Sequence, residues 1–175
     1  TDQIQGLSTD VIHTLSTAQI NNMAVEQVGA LTVDQAKAMT GAQVTALRTD
    51  QISMLSEDAV AAMDATQVAA IETVDLVELS SQQIQALNTD AVAGMTTGQV
   101  ANLTSTQTAA LTTSQVAAFT TGSVEAMTSA QIAGLDVSQV GAITAAQAAA
   151  IQTVDLVQMN TDQIQAFSTA AIANL

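Results

Sequence analysis

The chain has 175 residues, no Cys, Pro, Trp or Tyr, and a formal net charge of −14 from sixteen acidic and two basic residues. Binding to nucleic acid or to an anionic membrane surface needs a basic footprint, so we expect neither kind of partner. No apolar run approaches the ~18 residues that a membrane-spanning helix needs, so we expect no membrane insertion, and the lack of Cys excludes disulfides and thiol chemistry.

Large apolar residues recur at every eighth position, from Leu7 to Leu175, at all 22 positions of the series. A second apolar series begins at Ile4, also steps by eight, and fails only at Thr108. Two series of this length indicate a tandem repeat. In chain order the predicted elements are therefore copies of one short unit, here called an octad.

Each octad carries the signals of a helix start. In the octad that follows Leu111, Thr112 and Gln115 form a capping-box pattern, while Leu111 and Val116 have the spacing of a hydrophobic staple. An acidic residue often follows the cap by two positions, where it suits the positive end of a helix. Eight of the sixteen acids occupy this position: Asp2, Asp10, Glu26, Asp34, Asp50, Asp58, Asp90 and Asp162.

Glutamine shows a longer period, because it occupies every second octad at 16-residue steps from Gln3 to Gln163. We therefore predict an all-α solenoid in which two octads form each 16-residue coil, giving about 11 coils with the glutamines stacked as a ladder. A β-solenoid is the alternative, since Thr and Val favour strands, although apolar spacings of three and five residues are not the alternation of a strand.

The repeat extends over the whole chain, which we interpret as a single array, 1–175. Similar segments begin at Thr1, Ser81 and Thr161, so an 80-residue block divides the array into 1–80, 81–160 and a partial copy, 161–175. Neither end shows a polar capping unit of the kind that finite solenoids need. We therefore expect the array to be part of a longer chain or filament, with itself as a head-to-tail partner.

The residue inventory predicts no catalytic, cofactor-binding or metal-binding site, and hence no enzyme. His13 is the only histidine and is expected to face solvent. Acid pairs one predicted coil apart, Asp34 with Asp50 or Asp10 with Glu26, are the possible Ca²⁺ ligands, but hard cations need six or more oxygens and no EF-hand loop is present. Six of the seven methionines lie in the Leu7 series, where they are expected to fill the core.

Threonine recurs at the position after the cap, and these side chains are expected to face solvent. A regular threonine face is typical of ice-binding surfaces, but here it is interrupted, for example at Val25, Gly41 and Val137. The column comprises Thr9, Thr17, Thr49, Thr73, Thr89, Thr97, Thr113, Thr121, Thr153, Thr161 and Thr169.

The run L-T-T-S-Q-V-A-A-F-T-T from Leu111 resembles the Thr/Gln/Ala-rich tandem repeats of very large secreted surface proteins of Gram-negative bacteria, which are adhesin-like or matrix-like. The resemblance implies an extracellular or cell-surface stalk, fibre or self-assembling filament segment. The alternative is a binding module that uses a lateral Thr-rich face for a glycan, ice or a protein.

Overall fold

The computed structural model describes the backbone of residues 2–175 and the side chains from residue 3 onward. The start of the first octad at Thr1 and the predicted first-turn carboxylate of Asp2 therefore lie outside the described residues. The chain divides into two compact units, Thr1–Gly94 and Met95–Leu175.

Within residues 2–94, the first unit contains twelve helices of four to six residues. They are α1 (Asp2–Gln5), α2 (Thr9–Thr14), α3 (Thr17–Asn21), α4 (Val25–Gly29), α5 (Val33–Ala38), α6 (Gly41–Thr45), α7 (Thr49–Ile52), α8 (Glu57–Ala62), α9 (Ala65–Ala69), α10 (Thr73–Leu76), α11 (Ser81–Ala86) and α12 (Thr89–Ala93).

The second unit contains ten helices of the same size. They are α13 (Thr97–Asn102), α14 (Ser105–Ala110), α15 (Thr113–Ala118), α16 (Thr121–Ala126), α17 (Ser129–Ala133), α18 (Val137–Gly141), α19 (Ala145–Ala148), α20 (Thr153–Leu156), α21 (Thr161–Ala166) and α22 (Thr169–Ile172). One octad thus forms one helix, and residues 2–175 contain no strand, so the β-solenoid alternative is wrong.

The predicted caps begin the helices. Thr112 has extended dihedrals (φ −74°, ψ 159°), its hydroxyl accepts from the backbone N–H of Gln115 at 3.2 Å, and Gln115 Oε1 accepts from the backbone N–H of Thr112 at 2.8 Å. At Ala24 and Arg48 the cap side chain makes no such bond, and only the glutamine half of the box is formed. The described first-turn acids, such as Asp34 and Asp90, lie where the helix N-terminus favours negative charge.

The core of each unit is formed by the two apolar series. Ile20 and Ile52 are 1% exposed, and the methionines of the Leu7 series are buried, as predicted; Met54, outside that series, is exposed. Thr108, the one polar residue of the Ile4 series, is also buried, and its hydroxyl donates to the carbonyl oxygen of Thr104 at 3.0 Å. Stacking therefore supplies the burial that helices of four to six residues need, because they are too short to be stable alone.

The helices pack on one another at a spacing of three octads, not two. In the first unit α2 packs on α5, α5 on α8 and α8 on α11; in the second unit α13 packs on α16 and α18 on α21. The all-α solenoid of short capped helices is confirmed, but the 16-residue coil of two helices, and with it the count of about 11 coils, is wrong.

The linkers between helices explain this wider turn. Successive helices are separated by a few residues that end in one extended cap, and no residue of the described backbone has a positive φ. A coil of two helices requires the chain to reverse direction at each linker, and tight reversals commonly use left-handed residues. A linker that only bends the chain needs more than two helices to complete a turn.

Candidate functional site: the glutamine joints

The buried glutamines form the most regular polar feature of the molecule. Gln51 is fully buried, and it lies at the third helical position of α7. Its Oε1 accepts from the backbone N–H of Arg48, at 2.8 Å. Its Nε2 donates to the carbonyl oxygens of Ile20 and Met23, at 3.1 and 2.7 Å. We call this arrangement a glutamine joint.

A glutamine joint satisfies two helix ends at once. The last carbonyls of a helix and its first N–H groups have no partner within the helix, and leaving such groups buried and unpaired costs about 1–3 kcal/mol each. In the joint at Gln67, the amide oxygen accepts a hydrogen bond from the backbone N–H of Asp64, the cap residue of α9. The amide nitrogen donates to the carbonyl oxygens of Ala36 and Met39, at the end of α5. Only a side chain that both donates and accepts can form this joint.

Each joint connects the helix of its glutamine to the helix four octads earlier. Acceptors at sequence separations of 28 and 30 or 31 residues recur throughout both units. Within the first unit the joints are at Gln35, Gln43, Gln51, Gln67 and Gln83, and within the second they are at Gln131, Gln139, Gln147 and Gln163. With helix packing at three octads and joints at four, one turn of the solenoid takes between three and four octads.

The predicted glutamine ladder is therefore wrong, because these amide nitrogens bond to the backbone and not to one another. A reach of four octads also links odd-numbered helices only to odd-numbered helices and even to even. Gln35, Gln51 and Gln67 belong to the odd series, which has glutamine throughout. In the even series Gln43 and Gln139 form the same joint, whereas Ala59 takes the position without an amide.

Two buried aspartates replace the glutamine in the even series. Asp75 is 5% exposed, and its Oδ1 accepts from the hydroxyl of Thr49 at 2.6 Å. Asp155, which is 4% exposed, accepts from the hydroxyl of Ser129 at 2.5 Å. A carboxylate cannot donate to helix-end carbonyls, so here a hydroxyl donor comes from the helix three octads earlier. Sequence reasoning missed this pairing.

Lateral polar side chains add further bonds between turns. His13 Nδ1 bonds to the carbonyl oxygen of Ala38 at 3.0 Å, which requires a proton on that nitrogen. Thr45 donates its hydroxyl to the carbonyl of Ala70 at 2.9 Å, also 25 residues later. His13 is exposed, as predicted, but it also links two turns.

The acid pairs predicted at 16-residue spacing are on helices that do not pack together. The packed helix pairs α2·α5 and α5·α8 instead carry Asp10, Asp34 and Asp58 at a spacing of three octads. Among the described residues no group of three or more His, Cys, Asp or Glu side chains is placed to hold a metal ion. Calcium binding through the pairs Asp34–Asp50 and Asp10–Glu26 loses its structural basis, because those pairs rested on the 16-residue coil.

Most of the predicted threonine column faces solvent, with Thr73 only half-buried. Its neighbours in space are three octads apart, so a lateral face of the first unit runs through Thr17, Gly41 and Ala65. The threonine face is therefore interrupted between turns as well as along the chain. A surface depression of about 560 Å³, with Thr121, Glu125 and Gln152 in its wall, is open to solvent.

Comparison with known proteins supports the repeat architecture. The family model described as ALTTAQ repeat matches residues 1–33 and 68–105, so these segments are similar to that family. No curated protein matches the chain. No helix within residues 2–175 is long and apolar enough to cross a membrane.

Proposed function

We propose that the chain is a non-enzymatic structural array, a stalk, fibre or filament segment at a bacterial cell surface or in an extracellular matrix. The observation that carries the proposal is the glutamine joint. At Gln35 and Gln147 alike, one side chain caps its own helix and closes the helix four octads earlier. The recurring polar residues thus serve the connection of one turn to the next.

The similarity to a tandem-repeat family supports the same role. Arrays of this kind behave as nearly one-dimensional assemblies, in which each unit contacts only its near neighbours. Such a molecule can be lengthened by whole units without loss of a dedicated site. The extracellular location is supported by the resemblance to repeats of secreted bacterial proteins.

Lengthening provides the test of the structural role. A second copy of residues 81–160 is inserted after Asn160, and a control variant receives a four-residue insertion, half an octad, at the same point. The whole block should raise the helical circular dichroism signal in proportion to its length and increase the maximum dimension in small-angle X-ray scattering. The half octad should disrupt the joints that cross the insertion. A full block that fails to extend the molecule contradicts the proposal.

Binding assays distinguish the structural role from a lateral binding module. Glycan arrays and thermal-hysteresis measurements should give no saturable signal for the chain. A signal that the double substitution Thr97→Val and Thr121→Val abolishes would instead identify the threonine face as a binding surface. Antibodies against the chain should label intact cells of the source bacterium, and labelling that requires permeabilised cells contradicts the surface location.

A further inference from the structure

The cap residue of one helix in the first unit performs the task of a glutamine joint. Asn88 precedes α12, and the joint position three residues later is Ala91, which has no amide side chain. Asn88 Oδ1 accepts from the backbone N–H of Ala91 at 2.9 Å. Asn88 Nδ2 donates to the carbonyl oxygens of Met63 and Ala61, at 2.8 and 3.0 Å. One side chain therefore caps α12 and closes the end of α8, the helix four octads earlier.

Both acceptors of Asn88 lie where a glutamine at the joint position would reach. They are 25 and 27 residues before Asn88, and therefore 28 and 30 residues before Ala91. The joint of Gln163 has its acceptors at the same separations of 28 and 30 residues, at Leu135 and Ala133. The carbonyls at the end of a helix have no partner within that helix, so a donor from another helix is needed in both places. Asn88 supplies this donor from the cap position.

The same reach from the cap position recurs in both units. Gln152, the cap residue of α20, donates its Nε2 to the carbonyl oxygen of Glu125 at 3.2 Å, 27 residues earlier. The joint position of α20 is Asp155, whose carboxylate cannot donate. Arg48, the cap residue of α7, donates from its guanidinium to the carbonyl oxygen of Asn21, also 27 residues earlier. The fold therefore brings an N–H donor at the cap within reach of the helix four octads earlier.

We propose that a cap amide and a joint glutamine are interchangeable, so that Asn88 is a substitute joint that holds α12 to α8. This inference deepens the proposed structural role and rests on it. It also makes Asn160 a latent substitute joint, because the run N-T-D-Q from Asn160 differs from the run N-T-D-A from Asn88 only in the joint residue. An octad whose cap residue carries an amide can therefore lose its glutamine and keep the connection to the helix four octads earlier.

Replacing Asn88 with aspartate separates the two roles of this side chain. Aspartate caps as well as asparagine does, and Asp64 accepts from the backbone N–H of Gln67 at 2.8 Å, but a carboxylate has no donor. We expect hydrogen exchange of the α8 and α12 amides in Asn88→Asp to become at least about fivefold faster. A residue that served only as a helix cap would leave these exchange rates unchanged.

The matched control is Asn160→Asp, since Thr and Asp follow the asparagine in both places and Gln163 already supplies the donor to the earlier helix. Exchange of the α17 and α21 amides should become less than about twofold faster in this control. Circular dichroism checks that all variants keep the same helical content.

A double-substitution cycle in α21 tests the interchange without placing a larger side chain in the core. Gln163→Ala gives this octad the N-T-D-A run found at Asn88, so the amide of Asn160 should now bind the end of α17. Asn160→Asp should then speed exchange at α17 at least about fivefold in the Gln163→Ala chain, against less than about twofold in the unmodified chain.

Two results overturn the inference. One is an Asn88→Asp chain whose exchange at α8 and α12 matches that of the unmodified chain, which leaves Asn88 as a helix cap alone. The other is an equal effect of Asn160→Asp with and without Gln163→Ala. Neither result affects the lengthening test, so a failure of the substitute joint and a failure of the structural role are distinguishable.

Discussion

Replacing Gln67 with leucine tests the energetic importance of the joint. Gln67 is 2% exposed, so Leu fills a similar volume in the same place. The substitution removes the bond from the backbone N–H of Asp64 at 2.9 Å and the bonds to the carbonyls of Met39 and Ala36 at 2.7 and 2.8 Å. The carbonyl of Ala36 still accepts from the backbone N–H of Met39, at 3.2 Å.

Two groups therefore lose their partner, the buried carbonyl of Met39 and the backbone N–H of Asp64, a residue at the surface. With about 1–3 kcal/mol for the buried carbonyl and about 0.5–1 kcal/mol for the lost cap, we expect the free energy of unfolding to fall by about 1.5–4 kcal/mol. Gln19→Leu is the matched control, because Gln19 is exposed and makes only the capping half of the joint. Its expected cost is about 0.5–1 kcal/mol, typical of a lost cap.

Urea denaturation followed by circular dichroism at 222 nm measures both variants. Repeat arrays can unfold in more than one step, so hydrogen exchange of the α5 and α9 amides locates the loss. The reasoning is refuted if Gln67→Leu and Gln19→Leu destabilise the chain equally. Local protection should fall at α5 and α9 and not throughout the chain.

Further substitutions test packing and the aspartate pairing by the same denaturation assay. A Cβ on Gly94 would lie 2.5 Å from a side-chain carbon of the adjacent helix, so Gly94→Ala should destabilise the chain by about 1–3 kcal/mol. A Cβ on Gly98 would have no neighbouring atom closer than 3.9 Å, so Gly98→Ala should stabilise its helix by about 0.5–1 kcal/mol. Equal effects of the two glycine substitutions would contradict this explanation. Thr49→Val leaves the buried carboxylate of Asp75 without its hydroxyl donor and should lower the free energy of unfolding by about 1–3 kcal/mol. The control Thr97→Val, at an exposed site, should change this free energy little. A larger loss for Thr97→Val than for Thr49→Val would contradict the pairing.

The local structure could be predicted from the sequence because its causes are local. A capping box is a relation between residues three apart, so Thr112 and Gln115 are sufficient to predict where α15 begins. The apolar positions four residues after each cap, such as Val116, are sufficient to predict the buried face. Both predictions are confirmed for α15.

The number of octads in a turn depends on the bend between helices, and a strict period of eight carries no information about that angle. The 16-residue alternation of glutamine predicts a turn of two octads, whereas the helices pack at three octads and the joints reach back four. The partners of Gln51, at Ile20 and Met23, therefore became known only with the three-dimensional structure.

The acceptors of the glutamine joint set a rule for how the array can change length. They are backbone carbonyls, which every octad supplies, so an insertion of whole octads leaves each glutamine with a carbonyl 28 residues earlier in the same phase. An insertion that is not a multiple of eight residues moves the later glutamines out of phase with these carbonyls. The 80-residue block seen in the sequence contains ten whole octads, so its copies keep this phase.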